Sequence, residues 1–173
     1  MEIDVFAQHV DASLAYRATG SLTIEALKDS GVKGSLLNHS EKQVGLEEIE
    51  FILERAKKLN FKILLLSEMP LWHLNVLFEK PWAIGYEKSV YIAGKTSIVE
   101  KESEEIRNLA GEVKSKGTLF IVGAGIKTKE DVFRAIKLGA DGVLASSSIV
   151  LAKDPYAKAL ELLGGINEAL DQS

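Results

Sequence analysis

The sequence predicts a parallel α/β architecture, and three observations carry that prediction. Strand-like and helix-like stretches alternate six times along the chain with short connections. The strand-like stretches are near-continuous apolar runs, the pattern of strands covered on both faces. Chemically capable side chains stand at the C-terminal ends of several of these runs, which is where parallel α/β proteins hold ligands. Spread over several strand ends, with phosphate-type loops after the last two strands, they favour a barrel over a doubly wound sheet. No Gly-x-Gly-x-x-Gly fingerprint follows a strand, so the dinucleotide-binding alternative is weak.

Element by element, Ile3 to Val10 reads as the first strand, and Asp11 to Ser21 as a loop that contains Thr19-Gly20. Leu22, Ile24, Ala26 and Leu27 predict a short helix ended by Gly31. Lys33 to Leu37 is the second strand. Leu46, Ile49, Ile52, Leu53, Ala56 and Leu59 fall at helical spacing, with acidic residues early and basic residues late, as the helix dipole prefers. Phe61 to Leu66 is a buried strand, and Pro70 opens a helix that continues from Leu71 to Glu79. Trp82 to Tyr86 is the fourth strand, running into Glu87.

The loop Lys88 to Ser97 holds Ala93-Gly94-Lys95-Thr96, and Ile98 to Lys116 reads as one charged helix with a thin stripe of Ile106, Leu109 and Val113. Thr118 to Val122 is the fifth strand and leads into Gly123-Ala124-Gly125. Thr128 caps a helix that runs through Leu138, with Glu130 and Asp131 in its first turn and Gly139 after it. Asp141 to Ala145 is the last strand. Ser146-Ser147-Ser148 begins a short helix, and after Pro155 a final helix covers Tyr156 to Leu163, where Gly164-Gly165 is expected to stop it.

Composition bounds the function. With 173 residues, 46% hydrophobic and 27% charged, the chain suits a single domain, 1–173, with a real core. A net charge of -4 lacks the basic excess of nucleic-acid binders. The absence of cysteine removes disulfides and thiolate metal sites. No apolar run reaches a membrane span, and Met1-Glu2-Ile3-Asp4 is no signal peptide, so a cytoplasmic location without membrane partners is expected.

Three places could carry chemistry. The run Ser35-Leu36-Leu37 ends in Asn38-His39-Ser40-Glu41, where His39 can donate from a ring nitrogen to a carbonyl oxygen, with a nearby helix start keeping the ring neutral. The same histidine is equally readable as a satisfied strand-end residue. Glu87, at another strand end beside a loop of small residues, is placed like a general base, though alone it would pass for a surface carboxylate. Gly123-Ala124-Gly125 and Ser146-Ser147-Ser148 together offer main-chain N–H groups and a helix start to a phosphate.

These residues lie within stretches that resemble the triosephosphate isomerase family in its short archaeal form. The matching stretches are Val5-Phe6-Ala7-Gln8-His9-Val10-Asp11, Thr19-Gly20, Leu36 to Glu41, Tyr86-Glu87, Val122 to Ile126, and Lys153-Asp154-Pro155, in the family's order. The resemblance implies the TIM (β/α)8 barrel family, with units 3 to 8 present as an incomplete barrel. It implies His39 as electrophile, Glu87 as catalytic base, Ile92 as a ligand contact of the closing loop, and Gly125, Ser146 and Ser147 as phosphate-binding positions. Glu41 falls on the acidic residue that follows the catalytic histidine. The implied reaction interconverts dihydroxyacetone phosphate and glyceraldehyde 3-phosphate through an enediolate, in glycolysis and gluconeogenesis, with no cofactor and no metal. A homo-oligomer, a tetramer by family resemblance, is expected.

The sequence also departs from the family. The family's first strand carries Asn-x-Lys, which has no counterpart here, and roughly a quarter of an eight-unit barrel is absent by its pattern. Lys88 stands at the family's hinge proline, Ala93-Gly94-Lys95 at Gly-Thr-Gly, and Ser148 at a usual glycine. Three readings follow: an isomerase whose sequence lacks its N-terminal segment through a misplaced start, an inactive homologue serving as a binding or assembly protein, and another phosphosugar isomerase on the same barrel.

Overall fold

The computed structural model describes residues 3–14, 17–92 and 96–172. Met1-Glu2 and the Ala93-Gly94-Lys95 part of the expected loop lie outside the described residues. Within them, one sheet holds β1 (Phe6–Ala7), β2 (Gly34–Leu37), β3 (Lys62–Ser67), β4 (Ala83–Tyr86), β5 (Leu119–Val122) and β6 (Gly142–Val143), in that spatial order. Every neighbouring pair is parallel. A strand order that never reverses has no switch point, so the sheet is the arc of an incomplete TIM barrel and not a doubly wound sheet.

The register assigns the two faces. Leu37, Ile63, Leu65, Ile84, Tyr86, Phe120 and Val122 meet the helices in one large core. Leu64, Leu66 and Ala83 form a smaller cluster on the other face with Phe6, Leu36, Ile121 and Leu144. The helices are α1 (Ile24–Asp29), α2 (Leu46–Lys58), α3 (Pro70–Val76), α4 (Ile98–Lys101), α5 (Ser103–Ser115), α6 (Lys129–Lys137), α7 (Ser147–Val150) and α8 (Pro155–Asp171). The amphipathic α2 buries Ile49, Ile52, Leu53 and Ala56, with the larger of these side chains contributing about 1.5–3 kcal/mol each. Arg55 of α2 donates to the Glu25 carboxylate and so ties α2 to α1. Among the described residues no helix is long and apolar enough to cross a membrane.

Several expected boundaries move, each for a local reason. The first strand is only Phe6–Ala7, because it pairs with β2 alone and Ile3 and Val5 stand exposed at the sheet margin. The last strand likewise shrinks to Gly142–Val143, paired only with β5. The helix from Pro70 ends at Val76 instead of Glu79: Lys80 caps the Leu74 and Leu77 carbonyls, and Glu50 accepts the Phe78 N–H. The expected single helix from Ile98 to Lys116 breaks at Glu102, whose φ of -115° and ψ of 27° leave the helical region. Its carboxylate is held by Tyr91 Oη at 2.8 Å and Lys88 Nζ at 3.1 Å, across the loop that follows β4.

The largest correction concerns Gly164-Gly165, which does not stop the last helix. α8 continues to Asp171 because its buried face continues, through Leu162, Gly165 and Ala169. A Cβ on Gly165 would lie 2.4 Å from the Lys129 carbonyl oxygen and 2.9 Å from Val132 Cβ. The residue is therefore a contact point that lets α8 approach α6, and this packing offsets the roughly 1 kcal/mol helix penalty of a glycine.

Candidate active site

All six strands point their C-terminal ends to one rim, so residues remote in sequence meet there. His39 follows β2, Glu87 follows β4, Gly123 to Gly125 follow β5, and Ser146 to Ser148 follow β6. His39 Nε2 lies 3.8 Å from Glu87 Oε2, with the two side chains 27% and 12% exposed. That separation is too long for a hydrogen bond. It leaves the imidazole Nε2 facing the carboxylate across the strand ends.

The His39 ring is oriented by its own turn. The Glu41 N–H donates to His39 Nδ1 at 3.2 Å, and the Glu41 carboxylate stands 3.6 Å from the same nitrogen. A ring nitrogen that accepts from a backbone N–H carries no proton, so a neutral His39 holds its proton on Nε2, the atom that faces Glu87. The chain thus fixes the tautomer with a residue two positions along. The helix that follows, α2, begins at Leu46, with Glu48 accepting the Gly45 N–H at 3.0 Å.

Glu87 is buried between the strand ends. Burial pushes its carboxyl above the ordinary carboxylate value, opposed by the nearby His39 and by a hydrogen bond from the Ala124 N–H. Its carboxylate rests on Gly123, where a Cβ would lie 2.1 Å from Glu87 Oε1. Gly123, part of the small-residue loop offered to a phosphate, also donates its N–H to the Tyr86 carbonyl at 3.0 Å. Ala124 and Gly125 follow with left-handed φ of 73° and 75°, and Ala124 accepts the Ile98 N–H through its carbonyl at 3.2 Å.

Beside Glu87 is a cavity of about 170 Å³ whose walls include Asn38, Ser40, Gln43, Ser67, His73 and Ile92. Ile92 closes a one-turn 3-10 segment, Ser89–Tyr91, and so lies over the same space as Glu87. Larger grooves, of about 420 and 410 Å³, lie away from these strand ends, along α5 and between α2 and Trp82. Gly125 is half-buried against Thr96, while Ser146 and Ser147 are exposed at the start of α7. Ser148 Oγ donates to the Ile126 carbonyl at 2.9 Å, which joins the two small-residue loops into one surface.

Two features of the rim escaped the sequence. Ser67 Oγ accepts the Met69 N–H at 2.8 Å and lies 2.9 Å from His73 Nδ1, and burial lowers the tendency of His73 to protonate. Lys88, read as a substitute for a hinge proline, reaches Glu102 at 3.1 Å and Glu105 at 2.9 Å. Neither pairing leaves a periodic signal, since strand ends and helices bring these residues together.

Comparison with known proteins places this arrangement. The sequence model of the family described as Triosephosphate isomerase matches residues 1–66, and that of Thiazole biosynthesis protein ThiG matches residues 101–169. A solved structure, the Amycolatopsis orientalis BexX/CysO complex, superposes with a TM-score of 0.63 at 21% identity, covering 87% of this chain and 63% of that one. At that identity the likeness shows the fold alone, and this chain spans less than two thirds of that protein's length. The triosephosphate isomerase of Metallosphaera sedula is 39% identical over 171 residues, covering 98% of this chain and 75% of the relative. Those of Sulfolobus acidocaldarius and Sulfurisphaera tokodaii are 39% and 36% identical, over 67% and 76% of their lengths. With the strand order, the facing imidazole and carboxylate, and these relatives in agreement, the chain belongs to the triosephosphate isomerase family.

Proposed function

We propose that the protein interconverts dihydroxyacetone phosphate and glyceraldehyde 3-phosphate, with His39 and Glu87 as the acid–base pair. The observation that carries this reading is the 3.8 Å approach of His39 Nε2 to Glu87 Oε2, with Nδ1 already engaged by the Glu41 N–H. A neutral histidine paired with a glutamate base is the known chemistry of this enzyme family. Glu87 takes the proton from the carbon beside the carbonyl, while the Nε2–H of His39 polarises the carbonyl oxygen. The electron pair moves into the carbon–carbon bond of an enediolate. His39 passes a proton from one oxygen to the other, and Glu87 returns its proton to the neighbouring carbon. No atom is gained or lost.

Burial of Glu87 makes its carboxylate a stronger base than an exposed one. Gly125, Ser146 and Ser147 would hold the phosphate, supported by the joined surface of their two loops. Ile92 would cover the substrate from the loop after β4, and Glu41 would support His39. The ThiG match covers the phosphate half but neither member of the acid–base pair. A cytoplasmic homo-oligomer, tetrameric by family likeness, belongs to the same proposal, and exposed Phe78 and Tyr156, at 93% and 74%, are apolar surface such an assembly would cover.

The test is a coupled assay of the purified chain with each triose phosphate. Glu87→Gln is expected to lower kcat by about 10²- to 10⁴-fold, the range for a lost general base. A folded, monodisperse chain without turnover on either substrate would overturn the proposal and favour a binding or assembly role; turnover of another phosphosugar alone would assign it that activity.

A further inference from the structure

We propose that Asn38 is a positioning residue for His39, acting through both ends of its amide; the inference rests on the acid–base roles given above. Asn38 follows β2 in the left-handed region, with φ of 63°, a conformation that asparagine tolerates better than most non-glycine residues. From there the chain turns back across the rim as the loop 39–44. Asn38 Nδ2 donates to the Leu66 carbonyl on β3 at 3.0 Å, and Asn38 Oδ1 accepts the Val44 N–H at 3.1 Å.

One planar amide thus pins the far end of the His39 loop to the end of the neighbouring strand. The loop's interior is closed by the Lys42 N–H on the His39 carbonyl at 2.8 Å and the Glu41 N–H on the His39 ring. Among the described residues, His39 has no side-chain hydrogen bond of 3.5 Å or less to the Glu87 side of the site, where Glu87 Oε2 stands at 3.8 Å. The direction of its Nε2–H is therefore set from behind, by the loop that Asn38 holds. Small displacements matter here, since misplacing a reacting group by about 1 Å costs on the order of 100-fold in rate.

The test separates the amide from the backbone conformation. Asn38→Gly keeps the left-handed turn and removes both hydrogen bonds; Asn38→Asp keeps the acceptor for Val44 and removes the donor to Leu66. With the folded chain, kcat is expected to fall about 10- to 100-fold in Asn38→Gly, with KM changed far less and Asn38→Asp intermediate. Nitrogen NMR of the His39 ring gives a readout independent of turnover. The unaltered chain should show Nε2 protonated and Nδ1 accepting, and Asn38→Gly should show a mixture of tautomers. Unchanged tautomer and unchanged kcat in folded Asn38→Gly would overturn the inference. So would a loss confined to thermal stability with the His39 signals intact, and if Asn38→Gly does not fold, Asn38→Asp decides by the same two readings. If the unaltered chain turns over neither triose phosphate, the functional reading fails while the NMR comparison still judges Asn38.

Discussion

Adjacent glycines in α8 should respond to the same substitution with opposite sign. At Gly164 a new Cβ would meet, among the described residues, only Lys129 Cε and Cδ, at 3.5 and 3.6 Å, ordinary contact with a flexible side chain. Gly164→Ala then shows the helix-propensity gain of about 0.5–1 kcal/mol and little else. At Gly165 the Cβ would lie 2.4 Å from the Lys129 carbonyl oxygen, 2.9 Å from Val132 Cβ and 3.0 Å from the Phe133 nitrogen. Two of those atoms are backbone of α6 and cannot rotate away, so α8 must withdraw by about 1 Å and loosen close-packed contacts. Overpacking of this kind costs about 1–3 kcal/mol, which outweighs the propensity gain and leaves Gly165→Ala less stable by about 1–2 kcal/mol. Urea unfolding of the two variants measures both. In heating scans the shifts are about 2–4 °C per kcal/mol for a chain of this size, upward for Gly164→Ala and downward for Gly165→Ala. Equal stabilisation by both would refute the reasoning, because it would mean that α6 and α8 do not meet at Gly165.

Two further predictions concern the site. Burial holds the folded-state value for Glu87 above the ordinary 4.5, so between those values the folded protein binds more protons than the unfolded one and stability falls as pH rises through the folded value. Glu87→Gln should therefore raise the urea midpoint at pH 8, and the gain should vanish by about pH 4, where both states carry the protonated acid; an equal gain at both pH values would show that burial of the charge is not its cause. Gly123→Ala places a methyl 2.1 Å from Glu87 Oε1 and should lower kcat by about 100-fold through displacement of the base; near-normal turnover in that variant would show that the carboxylate does not need this seat.

Much of the architecture was legible because it is written in local pattern. The apolar stripe of Leu46 to Leu59, the buried run Phe61 to Leu66, and the capped start at Thr128 each report their own burial without knowledge of the neighbours, and each element formed within a residue or two of expectation. The misreadings occurred where a neighbour overrides local preference. Gly164-Gly165 is a stop signal by propensity and a packing contact in space. Glu102 looks like any helix residue until Tyr91 and Lys88 reach it from the loop after β4.

The candidate site divides in the same way. Sequence alone indicated the fold class and placed His39, Glu87 and the small-residue loops at strand ends, since these follow from residue type and from periodicity along a single segment; the acid–base roles came from the family resemblance. Only the tertiary structure decided that Gly123 seats Glu87 and that Asn38 ties the loop after β2 to β3. Those decisions depend on distances across strands, where parallel pairing places residues nearly thirty positions apart, such as Asn38 and Leu66, within one hydrogen bond, and no pattern along the chain encodes an approach made in the perpendicular direction.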